Sequence, residues 1–332
     1  MNKGDALMEI QNEDLQRAVE IINRLGEYYE GKVVGQKFLG FSLIVAMITN
    51  GHILLESVPG LAKTTAAKVM TEAVNGKFSR IQCTPDLIPS DIVGTQIYNM
   101  KENTFEDKIG PVDANFLLLD EINRSSAKTQ SAMLEVMQEK TVSIGGHKYE
   151  LPQVFVVIAT QNPIEQEGTY VLSEAQQDRF LLKVTLDYPD TDAEVEILNR
   201  IEKDVFSDVR SVATVEDIVF LQNLCREVYI DDSIKKYIVN IVRATREPDK
   251  SLPPELAQYI AMGASTRAAI AFMEAAKAVA LINGRGHVTP DDVKVMRYPI
   301  LRHRIMLNFS AIADGVKEEK IIDALLGSVP TP

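Results

Sequence analysis

The chain has 332 residues, more than one typical core holds and enough for two. Its 45% hydrophobic and 25% charged residues are soluble-globular values and exclude a disordered or fibrous chain. A net charge of −12, from 47 acidic against 35 basic residues, argues against a large phosphate-backbone footprint, which needs clustered Lys and Arg.

Cys83 and Cys225 lie far apart, form no metal-ligand spacing, and read as buried reduced thiols. The N-terminus, MNKGDALMEI, carries acids where the apolar part of a secretory leader belongs. The most apolar stretch, residues 38–49, is interrupted by Gly40 and Ser42 and is shorter than the roughly 20 residues of a bilayer span. A cytoplasmic protein without a membrane span is expected. His52, His147, His287 and His303 are scattered without metal-ligand spacing, so no zinc site is expected.

In chain order, apolar residues at helical spacing (Leu15, Val19, Ile22, Leu25) predict a helix over 13–29 with Asn12 as its N-cap. A second helix is expected after Val34-Gly35-Gln36. The period then changes. Ile53-Leu54-Leu55 is a short apolar run bounded by turn residues, as in a buried parallel strand, and Pro59-Gly60 leads into a helix over 64–73. Further buried strands are expected at 116–119, 154–159 and 180–184, with a helix over 128–138. Strands alternating with helices imply a parallel sheet covered on both faces. Two excursions interrupt the alternation: a hairpin or helix-plus-hairpin at 94–112, and a hairpin at 141–152 turning at Gly145-Gly146. Beyond Tyr188-Pro189-Asp190 the strand signals stop, and Thr289-Pro290-Asp291-Asp292 marks a helix start. The expected organisation is an α/β domain over 1–188 and a smaller all-α domain over 189–332.

The segment Ser57-Val58-Pro59-Gly60-Leu61-Ala62-Lys63-Thr64 meets the phosphate-loop template G-x-x-x-x-G-K-[ST] at its end and departs from it at Ser57 and Ala62. A strand, a tight turn with Gly60 and a helix start at Lys63 together leave backbone N–H groups facing an anion. Lys63 can then reach the outer phosphates, and the Thr64 hydroxyl can ligate Mg²⁺. Asp120-Glu121 follow four apolar residues, and ligands of open α/β sheets bind beyond the strands' carboxyl ends. Asp120 is expected to face the metal held by Thr64, and Glu121 to polarise the attacking water. Asn162 follows the strand at 154–159, where an amide can orient that water. Arg179 and Arg267 are candidate charge stabilisers. Taken singly, each of these features also suits an ordinary turn, a helix cap or a surface arginine. Asn2-Lys3-Gly4-Asp5 matches a guanine-reading pattern but precedes the phosphate loop, so it reads as coincidence. Arg297, Arg302, His303 and Arg304 read as a solvated helix face or subunit contact, with only a weak hint of polyanion binding.

In this order the segments resemble the MoxR family of AAA+ ATPases from about residue 30 onward. Residues 55–64 resemble its P-loop, in which Ala already replaces the second glycine. Ser57 stands where the family usually has Gly, and is compatible with binding if the position does not require positive φ. Asp120-Glu121-Ile122-Asn123-Arg124 resembles the Walker B segment, Asn162 sensor 1, Arg179 the arginine finger supplied by a neighbouring subunit, and Arg267 sensor 2 on the lid. Val34-Gly35-Gln36 is similar to the segment near the adenine; the excursions at 94–112 and 141–152 are similar to the helix-2 and pre-sensor-1 inserts. The resemblance implies a P-loop NTPase (AAA+) sheet flanked by helices, followed by a helical lid, with ATP and Mg²⁺ as cofactors. It implies nucleotide contacts from Val34, Gly35, Val58, Pro59, Gly60, Leu61, Ala62, Lys63, Thr64, Thr65 and Arg267, metal contacts from Thr64 and Asp120, and catalysis by Lys63, Glu121, Asn162 and Arg179. It further implies a homo-oligomeric, usually hexameric ring that remodels or activates client proteins, often von Willebrand factor A domains with a metal-ion site; the acidic balance and the absence of a nucleic-acid module disfavour a nucleic-acid partner. A DNA-remodelling motor and a nucleotide-gated scaffold with little hydrolysis remain alternatives.

Overall fold

The computed structural model describes residues 10–58, 61, 63–162, 169–203, 205 and 209–332. The chain forms two compact units: Leu25–Ile218, and Val219–Pro332 together with the described part of Met1–Arg24. Helix α1 (Asn12–Lys32) contributes to both.

In the first unit, α2 (Lys37–Thr49) is apolar nearly all round and is buried accordingly. It approaches α1 so closely at Gly40 that a β-carbon there would lie 2.5 Å from the Tyr29 ring. The first strands follow, with a helix between them: β1 (Ile53–Glu56), then α3 (Lys63–Ala73), then β2 (Phe78–Gln82). A short helix α4 (Pro89–Val93) leads into the antiparallel hairpin β3 (Gly94–Asn99) and β4 (Thr104–Ile109), the helix-plus-hairpin form of the expected excursion. Next come β5 (Phe116–Asp120), a 3₁₀ turn over Ile122–Arg124 and α5 (Ala127–Glu139), capped by the Ser126 hydroxyl. The second hairpin, β6 (Thr141–Ile144) and β7 (His147–Glu150), turns where expected, with positive φ at both Gly145 and Gly146. The unit continues with β8 (Val156–Gln161), α6 (Glu174–Gln177), β9 (Leu182–Thr185) and α7 (Thr191–Glu202).

Five strands form one parallel sheet in the order β2-β5-β8-β1-β9. β1, β5 and β8 are buried along almost their whole length, as strands covered on both faces must be. Leu54, Leu117, Leu119, Val157 and Ala159 meet Met133, Leu134 and Met137 of α5 in a continuous core. β2 is an edge strand with polar residues and mixed exposure, so its sequence carried no buried-strand pattern. Strand signals do stop near residue 188, but the compact unit continues to Ile218. One reason is that the Val212 and Ala213 amides both donate to the Ala73 carbonyl at the end of α3.

The second unit is helical: α8 (Val215–Glu227, shared with the first unit), α9 (Asp232–Arg246), α10 (Pro248–Ser251), α11 (Pro254–Ala257), α12 (Thr266–Ile282), α13 (Pro290–Val295), α14 (Arg297–Leu301), α15 (Phe309–Ala313) and α16 (Glu318–Ser328). It is not strictly all-α, because β10 (Ile260–Met262) pairs antiparallel with β11 (Met306–Leu307). Buried alanines on α12 (Ala268, Ala271, Ala275, Ala278) allow close helix packing around Phe272. The helix start at Thr289 is a capping box whose Asp292 also takes both terminal nitrogens of Arg285, at 2.9 and 2.6 Å. Among the described residues no helix is long and apolar enough to cross a membrane.

Candidate functional site

Parallel strands point their carboxyl ends one way, so the loops after β1, β5 and β8 open on one edge of the sheet. Register keeps these ends level: Glu56 lies opposite Gln161, and Leu119 opposite Ala159. The phosphate-loop candidate and the acid doublet are not on adjacent strands. β8 runs between them, which separates β1 from β5 by two strand spacings, about 10 Å.

After β1, Ser57 is buried; its N–H donates to Gln161 O (3.2 Å) and its hydroxyl to Val58 O (3.0 Å). Among the described residues, the non-glycine positions with positive φ are Asn50, Asn75, Asn103, Glu121 and Lys140, so Ser57 carries no left-handed strain. Lys63 Nζ donates to Ser57 O at 3.4 Å, folding the lysine back over the turn. Leu61 is buried, while Val58, Lys63, Thr64 and Thr65 are half-buried. Pro59, Gly60 and Ala62 lie outside the described residues, as does the Asn2–Asp5 segment. Val34 is half-buried and Gly35 exposed with φ +72°; a β-carbon on Gly35 would come within 3.1 Å of the Pro189 β-carbon. Gln36 Nε2 donates to Asp187 O (3.2 Å), so this segment is fastened to the stretch after β9.

At the end of β5 both acids are held. Asp120 Oδ1 accepts from Thr160 Oγ1 (2.9 Å), and its Oδ2 from Arg80 Nη2 (2.5 Å). Glu121 sits in the left-handed region (φ 57°, ψ 54°), a sparsely populated conformation for a non-glycine residue that turns its side chain out of the strand's alternation. Its N–H donates to Thr160 Oγ1 (2.8 Å), and its Oε2 meets Gln82 Nε2 and Arg124 Nε, each at 3.1 Å. Gln130, buried on α5, supports this turn from below: its Nε2 donates to Ile122 O and Ser125 O (3.2 Å each) and to Tyr170 O (2.9 Å). Tyr170 N returns a bond to Asn123 O (2.6 Å). Burial pushes the Cys83 thiol up to about 12, reinforced by the Asp120 charge, so it is an inert neighbour of the doublet.

Asn162 is buried one residue beyond β8, between the two loops. Beside it, Glu56 Oε2 takes Gln161 Nε2 (2.5 Å) and Lys183 Nζ (2.8 Å). One sheet edge thus gathers Val58, Lys63, Thr64, Asp120, Glu121 and Asn162. Arg179 belongs to the same unit, exposed between α6 and β9. Arg267 belongs to the other unit, exposed in the first turn of α12, where its N–H donates to Ser265 Oγ. Thr160, Arg80, Gln82 and Gln130 escaped the sequence reading. The polar character of strand residues in β2 and β8 hinted at the first three, and nothing local marked Gln130 on α5.

The basic cluster of the second unit is not a free face. Arg297 pairs with Asp323 (2.9 Å) and Arg302 with Glu319 (2.6 Å), while His303 and Arg304 are buried. No cluster of three or more His, Cys, Asp or Glu is placed to hold a metal among the described residues. A divalent ion at the sheet edge would therefore rest on Asp120, a hydroxyl and the ligand's own oxygens, a hard-oxygen set that suits magnesium.

Residues 52–182 match the family model described as "ATPase family associated with various cellular activities (AAA)", and residues 256–325 match the AAA lid domain. Chaperone MoxR1 of Mycobacterium tuberculosis is 43% identical over 318 residues, 96% of this chain and 82% of that protein. YeaC of Bacillus subtilis is 42% identical over 96% of this chain and 95% of its own length, and protein MoxR of Paracoccus denitrificans 28% over 91% and 94%. A crystal structure from Cytophaga hutchinsonii superposes with a TM-score of 0.91 at 45% identity, covering 96% of this chain and 97% of the other. Sheet order, acid doublet, hairpin inserts, lid and relatives agree, and the chain belongs to the MoxR family of AAA+ ATPases.

Proposed function

We propose that the protein hydrolyses ATP at this sheet edge and uses the cycle to remodel partner proteins. The observation that carries the reading is the level placement of three loop starts, with Lys63 and Thr64 after β1, Asp120-Glu121 after β5 and Asn162 between them. In this reading the 58–65 segment and Lys63 bind the phosphates, and Val34 and Gly35 lie by the base. Thr64 and Asp120 would hold Mg²⁺, which supplies charge neutralisation and alignment of the phosphate oxygens when bound. Glu121 accepts the proton of a water that the Asn162 amide orients, and its left-handed backbone aims the carboxylate away from the strand. Arg179 serves the site of a neighbouring subunit in a ring, as a hexamer would provide, and Arg267, on the helical unit, takes the sensor 2 role.

The family relationship and the relative named a chaperone support a client-remodelling output in the cytoplasm, with von Willebrand factor A domains as the client class the family points to. The pairing of Arg297 and Arg302 with acids weighs against the DNA-motor alternative. Glu121→Gln tests the reading. The variant should bind a fluorescent ATP analogue with wild-type affinity and lose turnover by about 10²-fold or more; turnover at the wild-type rate removes Glu121 from its role.

A further inference from the structure

Arg80 faces the site from a strand that the reaction scheme does not use. On β2 it projects on the same side as Gln82, two residues on, and its Nη2 lies 2.5 Å from Asp120 Oδ2 and 3.2 Å from Gln82 Oε1. The pair is asymmetric: Arg80 is half-exposed at 48%, whereas Asp120 is largely enclosed at 13%. The other Asp120 oxygen is already taken by the Thr160 hydroxyl. The acid assigned to the metal therefore has one oxygen fixed by a neutral donor and the other occupied by a permanent cation.

Two cations that seek one carboxylate oxygen compete. A guanidinium on Asp120 also changes what the site presents to a nucleotide. With Arg80 in place the acid is neutralised, and a metal-free polyphosphate meets little repulsion. Without it, Asp120 would stand as a bare anion beside the phosphates and would demand a divalent ion. We propose that Arg80 is an internal counter-ion on Asp120 Oδ2, the oxygen that Thr160 leaves open, so that a magnesium ion held by Asp120 would compete with it and nucleotide can enter before the metal does. This makes Arg80 a positioning residue that sets the metal dependence of nucleotide binding. The proposal rests on the assignment of Asp120 and the phosphate loop to one nucleotide site.

The test is the affinity of the full-length chain for N-methylanthraniloyl-ADP, with excess magnesium and with EDTA, in wild type, Arg80→Gln and Arg80→Lys. Loss of the guanidinium should move the two affinities in opposite directions, tighter with magnesium and weaker in EDTA. The ratio between them should widen about tenfold, the scale of one partly screened hydrogen bond between charged groups. Arg80→Lys keeps the cation and should stay near the wild-type ratio. General damage to the fold, or simple removal of a positive charge from the site, would weaken binding in both arms. Parallel shifts or an unchanged ratio in Arg80→Gln overturn the role of Arg80 and leave the nucleotide site standing. Failure of wild type and variants alike to bind the probe overturns the site and this inference with it.

Discussion

Thr160 shows how much a single hydroxyl can organise. Fully buried at the end of β8, it accepts from the Glu121 amide and donates to Asp120 Oδ1, so one side chain orients both acids. Removing it leaves a buried N–H and a carboxylate oxygen unpaired. Thr160→Val, equal in shape, is expected to lower turnover about 10- to 100-fold, the usual cost of losing an outer-shell partner, and Thr160→Ser should restore most of it in a steady-state phosphate-release assay. His52 is a buried residue of a different kind. Its Nε2 lies 3.0 Å from Met137 O and its Nδ1 accepts from Val157 N–H (3.1 Å), a pairing that requires the neutral ring. Burial lowers its pKa from 6.5 to about 4. The unfolded chain therefore takes up this proton first, and the stability the neutral ring contributes is full above pH 6.5 and lost as pH falls towards 4. Between pH 7 and pH 5 the wild type should lose about 2 kcal/mol through this group, and His52→Gln should show a correspondingly shallower slope in urea unfolding at the two pH values.

At the scale of elements, close approach and shared polar groups fix what periodicity leaves free. The α1–α2 contact has no room for a β-carbon at Gly40, where the Tyr29 ring is both buried and bonded through its hydroxyl to Gln36 O. Gly40→Ala gains helix propensity yet must displace that ring, so a net loss of about 1–3 kcal/mol is expected from overpacking, read as a lower thermal midpoint; a rise would show that α1 can retreat freely. The two hairpin inserts are likewise one assembly. Asp107 on β4 accepts from Gln96 Nε2 (2.8 Å), His147 Nδ1 (2.8 Å) and Tyr149 Oη (2.7 Å), and these hydrogen bonds, Tyr149's foremost, hold its carboxyl below the usual carboxylate range. Each hairpin was legible from its own turn residues. Their union through Asp107 was not, because His147 and Tyr149 lie 40 and 42 positions away along the chain.

For the whole molecule, the proposed trans role of Arg179 turns oligomerisation into a kinetic variable. In that arrangement Arg179 serves a neighbour's phosphates and not those of its own subunit. Arg179→Ala should then bind nucleotide normally but turn over about 10³-fold more slowly. Wild-type specific activity should also rise with assembly across gel-filtration fractions; equal activity in monomer and oligomer fractions would remove the trans arrangement. Two compact units with their own cores suit such a cycle, since the sheet unit carries the acids and the phosphate-loop candidate while the helical unit carries Arg267.

The sequence alone determined the local features: buried strands at 53–55 and 116–119, both hairpins, the lysine-threonine helix start and the acid doublet. Each of these rests on periodicity or turn chemistry within a few residues. The apolar runs at 154–159 and 180–184 begin two residues before the strand ladders at Val156 and Leu182. Only the tertiary structure decided that β8 divides the phosphate-loop candidate from the acids, that polar β2 is a strand at all, and that Thr160, Arg80, Gln82 and Gln130 converge on Asp120 and Glu121 or the turn that follows them. Parallel neighbours in a sheet come from distant parts of the chain, so register and partner choice follow from burial of the whole core and leave no mark in any local window.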